Sequence, residues 1–114
     1  LVVEDDALIR LMIVSSLEDL RCTVVATAFK LNDAVQKATH LNFDVGLLDI
    51  NVAGTMIYPV GEILLARHIP FVFATAYDAE VIPANFHCVP LLTKPFDEEQ
   101  LRDQLCLAMR GASH

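Results

Sequence analysis

The sequence predicts a doubly wound α/β fold, one parallel sheet with helices on both faces, on three observations. Five short apolar runs alternate with five segments of helical period. The connections between them are short, as in successive βα units. The runs, such as FVFA at 71–74, carry too little polar character to face water on one side, so they belong in a sheet covered on both faces.

Strands are predicted near 1–4, 22–27, 44–49, 70–75 and 89–93, and helices near 6–20, 32–41, 58–68, 78–85 and 97–110. Asp6 is placed to cap the first helix, which turns Ile9, Met12, Ile13, Leu17 and Leu20 inward and leaves Leu8 and Leu11 outside that stripe. The third helix starts late and looks short. Pro83 lies inside the fourth helical segment, where an interior proline costs about 3 kcal/mol, so that helix is expected to be short or broken. In the fifth, Asp97 and Gln100 make a capping box, Phe96 is spaced to staple onto Leu101, and Leu101, Leu105, Ala108 and Met109 face inward before Gly111 ends it. Pro90 opens the last strand and suits an edge, because proline cannot donate to a ladder. With right-handed crossovers, a (βα)5 flavodoxin-like order 2-1-3-4-5 puts that strand there.

With 114 residues, 54% of them hydrophobic, the chain fits one domain over 1–114, with no internal repeat, linker or output domain expected. No apolar stretch is long enough for a membrane span. A formal charge of -7 argues against direct binding to nucleic acid. Cys22, Cys88 and Cys106 lack the spacing of a redox or zinc site and read as buried reduced thiols, which fits a cytoplasmic protein. His40, His68, His87 and His114 show no metal-ligand spacing. The chain opens inside a strand without a starting Met or signal peptide, so a few native residues are expected to be missing.

The polar residues that close the strands carry the chemistry. Glu4, Asp5 and Asp6 follow LVV, Asp49 ends VGLLD, Thr75 ends FVFAT and Lys94 follows PLLT. In an open parallel sheet, ligands bind beyond the strands' carboxyl ends. Three crowded carboxylates, Glu4, Asp5 and Asp49, repel by roughly 3 kcal/mol per pair at about 5 Å and an effective dielectric near 20, so they call for protons or a cation. Oxygen ligands with room for water suit Mg²⁺. Taken singly, each residue has an ordinary role: a helix cap, a strand-end hydroxyl on backbone, a solvated lysine. Their conjunction, each closing a different strand, is what points to a site.

That order resembles the receiver domain of bacterial two-component response regulators over essentially the whole chain. The resemblance implies that Asp49 in LLDIN is phosphorylated by a phosphohistidine on a histidine kinase or histidine phosphotransfer protein, with Mg²⁺ required. It implies Asp5 and the Asn51 backbone carbonyl as metal ligands beside Asp49, and Glu4 as a ligand through water. It gives Thr75 and Lys94 the phosphoryl oxygens, and makes the Lys94–Pro95 bond cis. Chemistry is then limited to the domain's own phosphorylation and slow autodephosphorylation. FATAY, YPV near position 58 and VPLLTKPF are similar to a subfamily of stand-alone receivers with a Phe-Ala-Thr-Gly-Xaa-Tyr motif, some of which act in stress signalling, although Ala76 replaces the glycine.

Two features depart from common receivers. The loop after Asp49 reads INVAGTMIYPVG in place of a Met-Pro-Gly turn, and Leu91 stands where receivers carry an aromatic switch residue, which leaves Thr75 and Tyr77 to report phosphorylation. Leu8, Leu11, Pro95 and Phe96 are expected to receive the phosphodonor helix, and the domain, a monomer or weak dimer, to signal through another protein downstream. Two other readings stay open: an interaction module that works without phosphorylation, and a Mg²⁺-dependent phosphohydrolase with an aspartate nucleophile. The second lacks its general acid, since Asn51 holds that position.

Overall fold

The structure, a computed structural model, describes residues 1–76 and 82–111. In chain order the elements are β1 (Val2–Val3), α1 (Ala7–Asp19), β2 (Thr27–Ala28), α2 (Leu31–His40), β3 (Gly46–Asp49), β4 (Asn51–Val52) and β5 (Thr55–Met56). Then come α3 (Tyr58–Ala66), β6 (Phe71–Thr75), a 3-10 turn (Ala84–Phe86), β7 (Leu91–Thr93) and α4 (Glu98–Gly111). The main sheet is parallel throughout in the order β2-β1-β3-β6-β7, the expected doubly wound, flavodoxin-like topology with Pro90 entering an edge strand. The chain leaves β1 toward one side and returns to β3 on the other, so a crevice opens where β1 and β3 end.

Strand periodicity builds two cores. Val3, Leu48, Phe71 and Phe73 pack with Ala34 and Ala38 of α2 and Val60 and Leu64 of α3. Their alternate neighbours Val2, Leu47, Val72, Ala74 and Leu92 meet Ile13 and Leu17 of α1 and Leu101, Leu105 and Ala108 of α4. Each large side chain buried this way contributes roughly 1.5–3 kcal/mol, which makes the strand ends rigid supports for polar groups. Among the described residues no helix is long and apolar enough to cross a membrane.

Local codes act as expected at both ends of the chain. Asp6 caps α1 by accepting from Ile9 N at 3.0 Å, and Asp97 and Gln100 exchange backbone and side-chain bonds of 2.8 and 2.9 Å. Phe96 packs in the same cluster as Leu101. Met12 and Met109 face solvent, because each lies round the helix from the stripe its neighbours define. Gly111 is still helical, and 112–114 lie outside the described residues.

Several expectations need correction. The second strand, predicted at 22–27, is Thr27–Ala28, the two residues that pair with the two-residue β1. All three cysteines are exposed: Cys22 follows a left-handed turn at Arg21, Cys88 sits in the turn after the 3-10 segment, and Cys106 lies on the outer face of α4. The fourth helical segment, predicted at 78–85, falls partly outside the described residues; after Pro83 there is a 3-10 turn over Ala84–Phe86. Phe86 is buried against Tyr58, Phe71 and Phe73. Gly61 makes room for it, since a Cβ there would stand 2.9 Å from Phe86 Cε1.

The loop after Asp49 holds an unexpected antiparallel hairpin, β4 with β5. Ala53 (φ 51) and Gly54 (φ 85) form its two-residue left-handed turn, the geometry that matches the twist of a tight hairpin. Val52 and Ile57, both buried, pin it to the core. α3 then begins with Pro59 in its first turn and ends at Ala66, earlier than the predicted 68.

Candidate functional site

The crevice at the carboxyl ends of β1, β3, β6 and β7 gathers the polar residues the strands deliver. One carboxylate oxygen each from Glu4, Asp5 and Asp49 lies within 4.8 Å of the others. Glu4 and Asp49 are buried and Asp5 is exposed, so the cluster has an open side. Lys94, just past β7, donates from Nζ to Asp49 Oδ2 at 3.0 Å and to Glu4 Oε1. Its backbone N–H donates to Thr75 O at 2.7 Å, tying the lysine to the end of β6. Thr75 is itself buried, one register step beyond the Asp49–Ala74 pair. The Lys94–Pro95 bond is cis, as the resemblance implies.

The loops are fastened to one another. Asp6 N donates to Glu4 Oε2 at 3.1 Å, and Arg10 Nη1 to Glu4 O at 2.9 Å. At the hairpin tip Ala53 N donates to Asp5 Oδ2 at 3.1 Å, while Asn51 Oδ1 accepts from Gly54 N at 2.9 Å. Asn51 is thus brought to the rim with its amide oxygen engaged in its own turn. No sequence signal singled out Ala53 or Arg10; Gly54, which takes a left-handed backbone at no steric cost, was the available clue to the turn.

Burial and mutual repulsion shape the electrostatics. Burial, with a smaller push from Asp49, raises the Glu4 carboxyl to about 7 against the opposing bonds from Lys94 and Asp6 N. Burial acts against the Lys94 ammonium, yet its bonds to Glu4 and Asp49 outweigh that and hold it above the usual lysine range. Burial also raises the Asp5 carboxyl, but hydrogen bonds from Glu4 and from Ala53 N outweigh it and leave it below its ordinary value. Lys94, paired with two of the three carboxylates, therefore compensates the cluster only in part. An all-oxygen donor set, open to water at Asp5, has the chemistry to hold a hard divalent cation.

The remaining sequence candidates lie outside this cluster. Leu8 and Leu11 are exposed at 67% and 66% on α1. Pro95 is exposed and Phe96 half-buried beside Lys94. Leu91 is partly exposed on β7, and Tyr77 lies outside the described residues.

A family model described as the response regulator receiver domain matches residues 1–106. SdrG from Sphingomonas melonis Fr1, in its solution structure, shares 35% identity at a TM-score of 0.84, over 95% of this chain and 92% of that one. The receiver domain of Erythrobacter litoralis PhyR shares 28% at 0.79, over 96% and 88%. PhyR from Brucella abortus shares 28% at 0.83 over 98% of this chain, which spans about half of that protein, 47%. A search of curated proteins found no match. A family model spanning β1 into α4, and a relative alike over nearly its whole length and built on the same sheet, agree with the acid cluster at the switch point: the chain belongs to the response regulator receiver domain family.

Proposed function

We propose that Asp49 accepts a phosphoryl group from a phosphohistidine of a histidine kinase or histidine phosphotransfer protein, with Mg²⁺ held by the acid cluster. The observation that carries this is the contact of Lys94 Nζ with Asp49 and Glu4 inside a cluster of three carboxylates at adjacent strand ends. An Asp49 oxygen attacks phosphorus in line, the bond to the histidine nitrogen breaks, and that nitrogen keeps the electron pair. Lys94 and the Thr75 hydroxyl stabilise charge on the phosphoryl oxygens. Asp5, Asp49 and the Asn51 carbonyl would hold the metal directly and Glu4 through water. When bound, Mg²⁺ supplies positive charge to the transferring group.

Leu8, Leu11, Pro95 and Phe96 offer the donor an apolar surface beside the site. Similarity to SdrG over nearly both whole chains, with the FATAY and YPV segments, supports the narrower reading as a stand-alone receiver in stress signalling, active through a downstream protein. SdrG also has a BeF3-activated conformation, which supports a phosphorylation-driven change here. Thr75 with Tyr77 would carry that change where Leu91 cannot. Leu91 is also the feature that favours a second reading, a module that binds its partner without phosphorylation.

Incubation with acetyl phosphate and Mg²⁺, followed by intact mass, tests the proposal. One phosphoryl group is expected on the wild type and none on a folded Asp49→Asn variant. Full phosphorylation of that variant would overturn Asp49 as acceptor, and an unmodified wild type would favour the second reading.

A further inference from the structure

The first turn of α1 carries a cation that looks misplaced. Arg10 lies close to a cluster that calls for a divalent ion, and an arginine side chain keeps its charge at any working pH. By charge alone, such a neighbour opposes cation binding. Its contacts suggest a different use. The guanidinium reaches back over its own helix start to Glu4 O at 2.9 Å, with its carbon 5.1 Å from the centre of the Phe29 ring. Phe29 follows β2 and is 49% exposed, so it is a platform at the rim and not part of either core. Glu4 N donates to Ala28 O at 3.0 Å, so β2 and the residue after it hold the Glu4 backbone from both sides, directly and through Arg10.

We propose that Arg10, braced on Phe29, is a positioning residue for the acidic turn: it fixes the Glu4 carbonyl and so sets the direction in which Glu4 and Asp5 present their carboxylates to the metal. This rests on the proposed receiver chemistry and adds to it a pair of residues outside the cluster. The planar guanidinium, placed over the Phe29 ring, is what lets one side chain span the turn and still hold its angle. The acidic turn carries no proline to stiffen it, and it bears two of the three carboxylates. Outer hydrogen bonds of this kind govern metal affinity by orienting the groups that bind.

The test separates geometry from charge by the sign of the effect. In Mg²⁺ titrations followed by amide shifts, Arg10→Ala is expected to weaken binding by about tenfold, the low end for loss of an outer hydrogen bond. Arg10→Met, which keeps a long side chain against Phe29 but has no donor, is expected to lose about as much. Phe29→Leu should weaken binding in the same direction and less. In the metal-free protein, amide exchange at Asp5 and Asp6 should rise in Arg10→Ala while the β6 amides stay protected. Binding in Arg10→Ala as tight as wild type or tighter would overturn the proposal, and so would an Arg10→Met that binds as tightly as wild type. A wild type that binds no Mg²⁺ would overturn the receiver chemistry itself, a distinct failure.

Discussion

Replacing Lys94 by methionine keeps the aliphatic stem and removes the charge that is paired with Glu4 and Asp49. At 3.0 Å from Asp49 and an effective dielectric near 20, the attraction in that one pair is about 5–6 kcal/mol before desolvation. Lys94, Glu4 and Asp49 side chains are only 15%, 2% and 9% exposed, so water cannot take the ammonium's place. Truncating one side of a buried pair leaves a net loss of about 3 kcal/mol. With a urea slope of about 1.5 kcal/mol/M, the unfolding midpoint should fall by about 2 M in chelator at pH 8. The loss depends on pH with a definite sign. The Glu4 carboxyl already titrates near 7 through burial, and without Lys94 it rises further. A group whose folded pKa is raised contributes stability below its unfolded pKa and loses it as pH rises through the folded value. The variant should therefore sit closer to wild type at pH 5 than at pH 8, and millimolar Mg²⁺ should restore part of the gap at pH 8. A midpoint equal to wild type at pH 8 in chelator would refute the reasoning, because it would mean that desolvation cancels the pair.

Glu4 itself gives a direct observable: in the metal-free protein its carboxyl should titrate by NMR at about 7, and stability from this group should decline between its unfolded value near 4.5 and that point. Saturating Mg²⁺ should move the titration down, and an unchanged midpoint would place the cation elsewhere. Gly61→Ala gains about 1 kcal/mol of helix propensity but drives a methyl to 2.9 Å from Phe86, where overpacking costs about 1–3 kcal/mol. A net loss of about 1 kcal/mol by denaturant unfolding is expected, and a stabilised variant would show that the ring yields freely. Leu8→Glu with Leu11→Glu should slow transfer from a kinase and spare phosphorylation by acetyl phosphate; equal effects on both, or on neither, would remove α1 from donor docking.

The parts of the molecule legible in the sequence are those that one residue pattern decides. Short apolar runs bounded by turn residues read as strands covered on both faces, and from five of them the sheet order follows by handedness and by the proline of the edge strand. Residues such as Asp49 and Lys94 were visible for the same reason, since a polar residue that closes a buried strand has one place to go. The cysteines were misread because an apolar neighbourhood in sequence says nothing about which side of a helix or turn a residue occupies; Cys106 adjoins Leu105 and points the other way. The hairpin after Asp49 was missed because its turn uses Ala53, a residue that rarely adopts a left-handed backbone. The bonds of Arg10 and Ala53 to the acidic turn join segments 6 and 48 residues apart, and no periodicity reports such pairs.

Charge balance at the strand ends also orders the proposed events. With its three carboxylates ionised and Lys94 protonated, the cluster is left with two negative charges, the number one divalent cation cancels. Until that happens Lys94 is committed to Glu4 and Asp49, and turning it toward a phosphoryl oxygen would leave two buried acids unpaired. A phosphoryl group adds to the problem, bringing close to two negative charges of its own. Approach of the donor before the cation is therefore opposed twice, by repulsion and by a lysine that is not free to move. A cation held by Glu4, Asp5 and Asp49 would supply positive charge there, and Lys94 would then be able to turn toward charge developing beside Thr75. On this reading the ion pairs of the metal-free protein gate the acceptor, and the short tie from Lys94 N to Thr75 O keeps the lysine within reach while it changes partners.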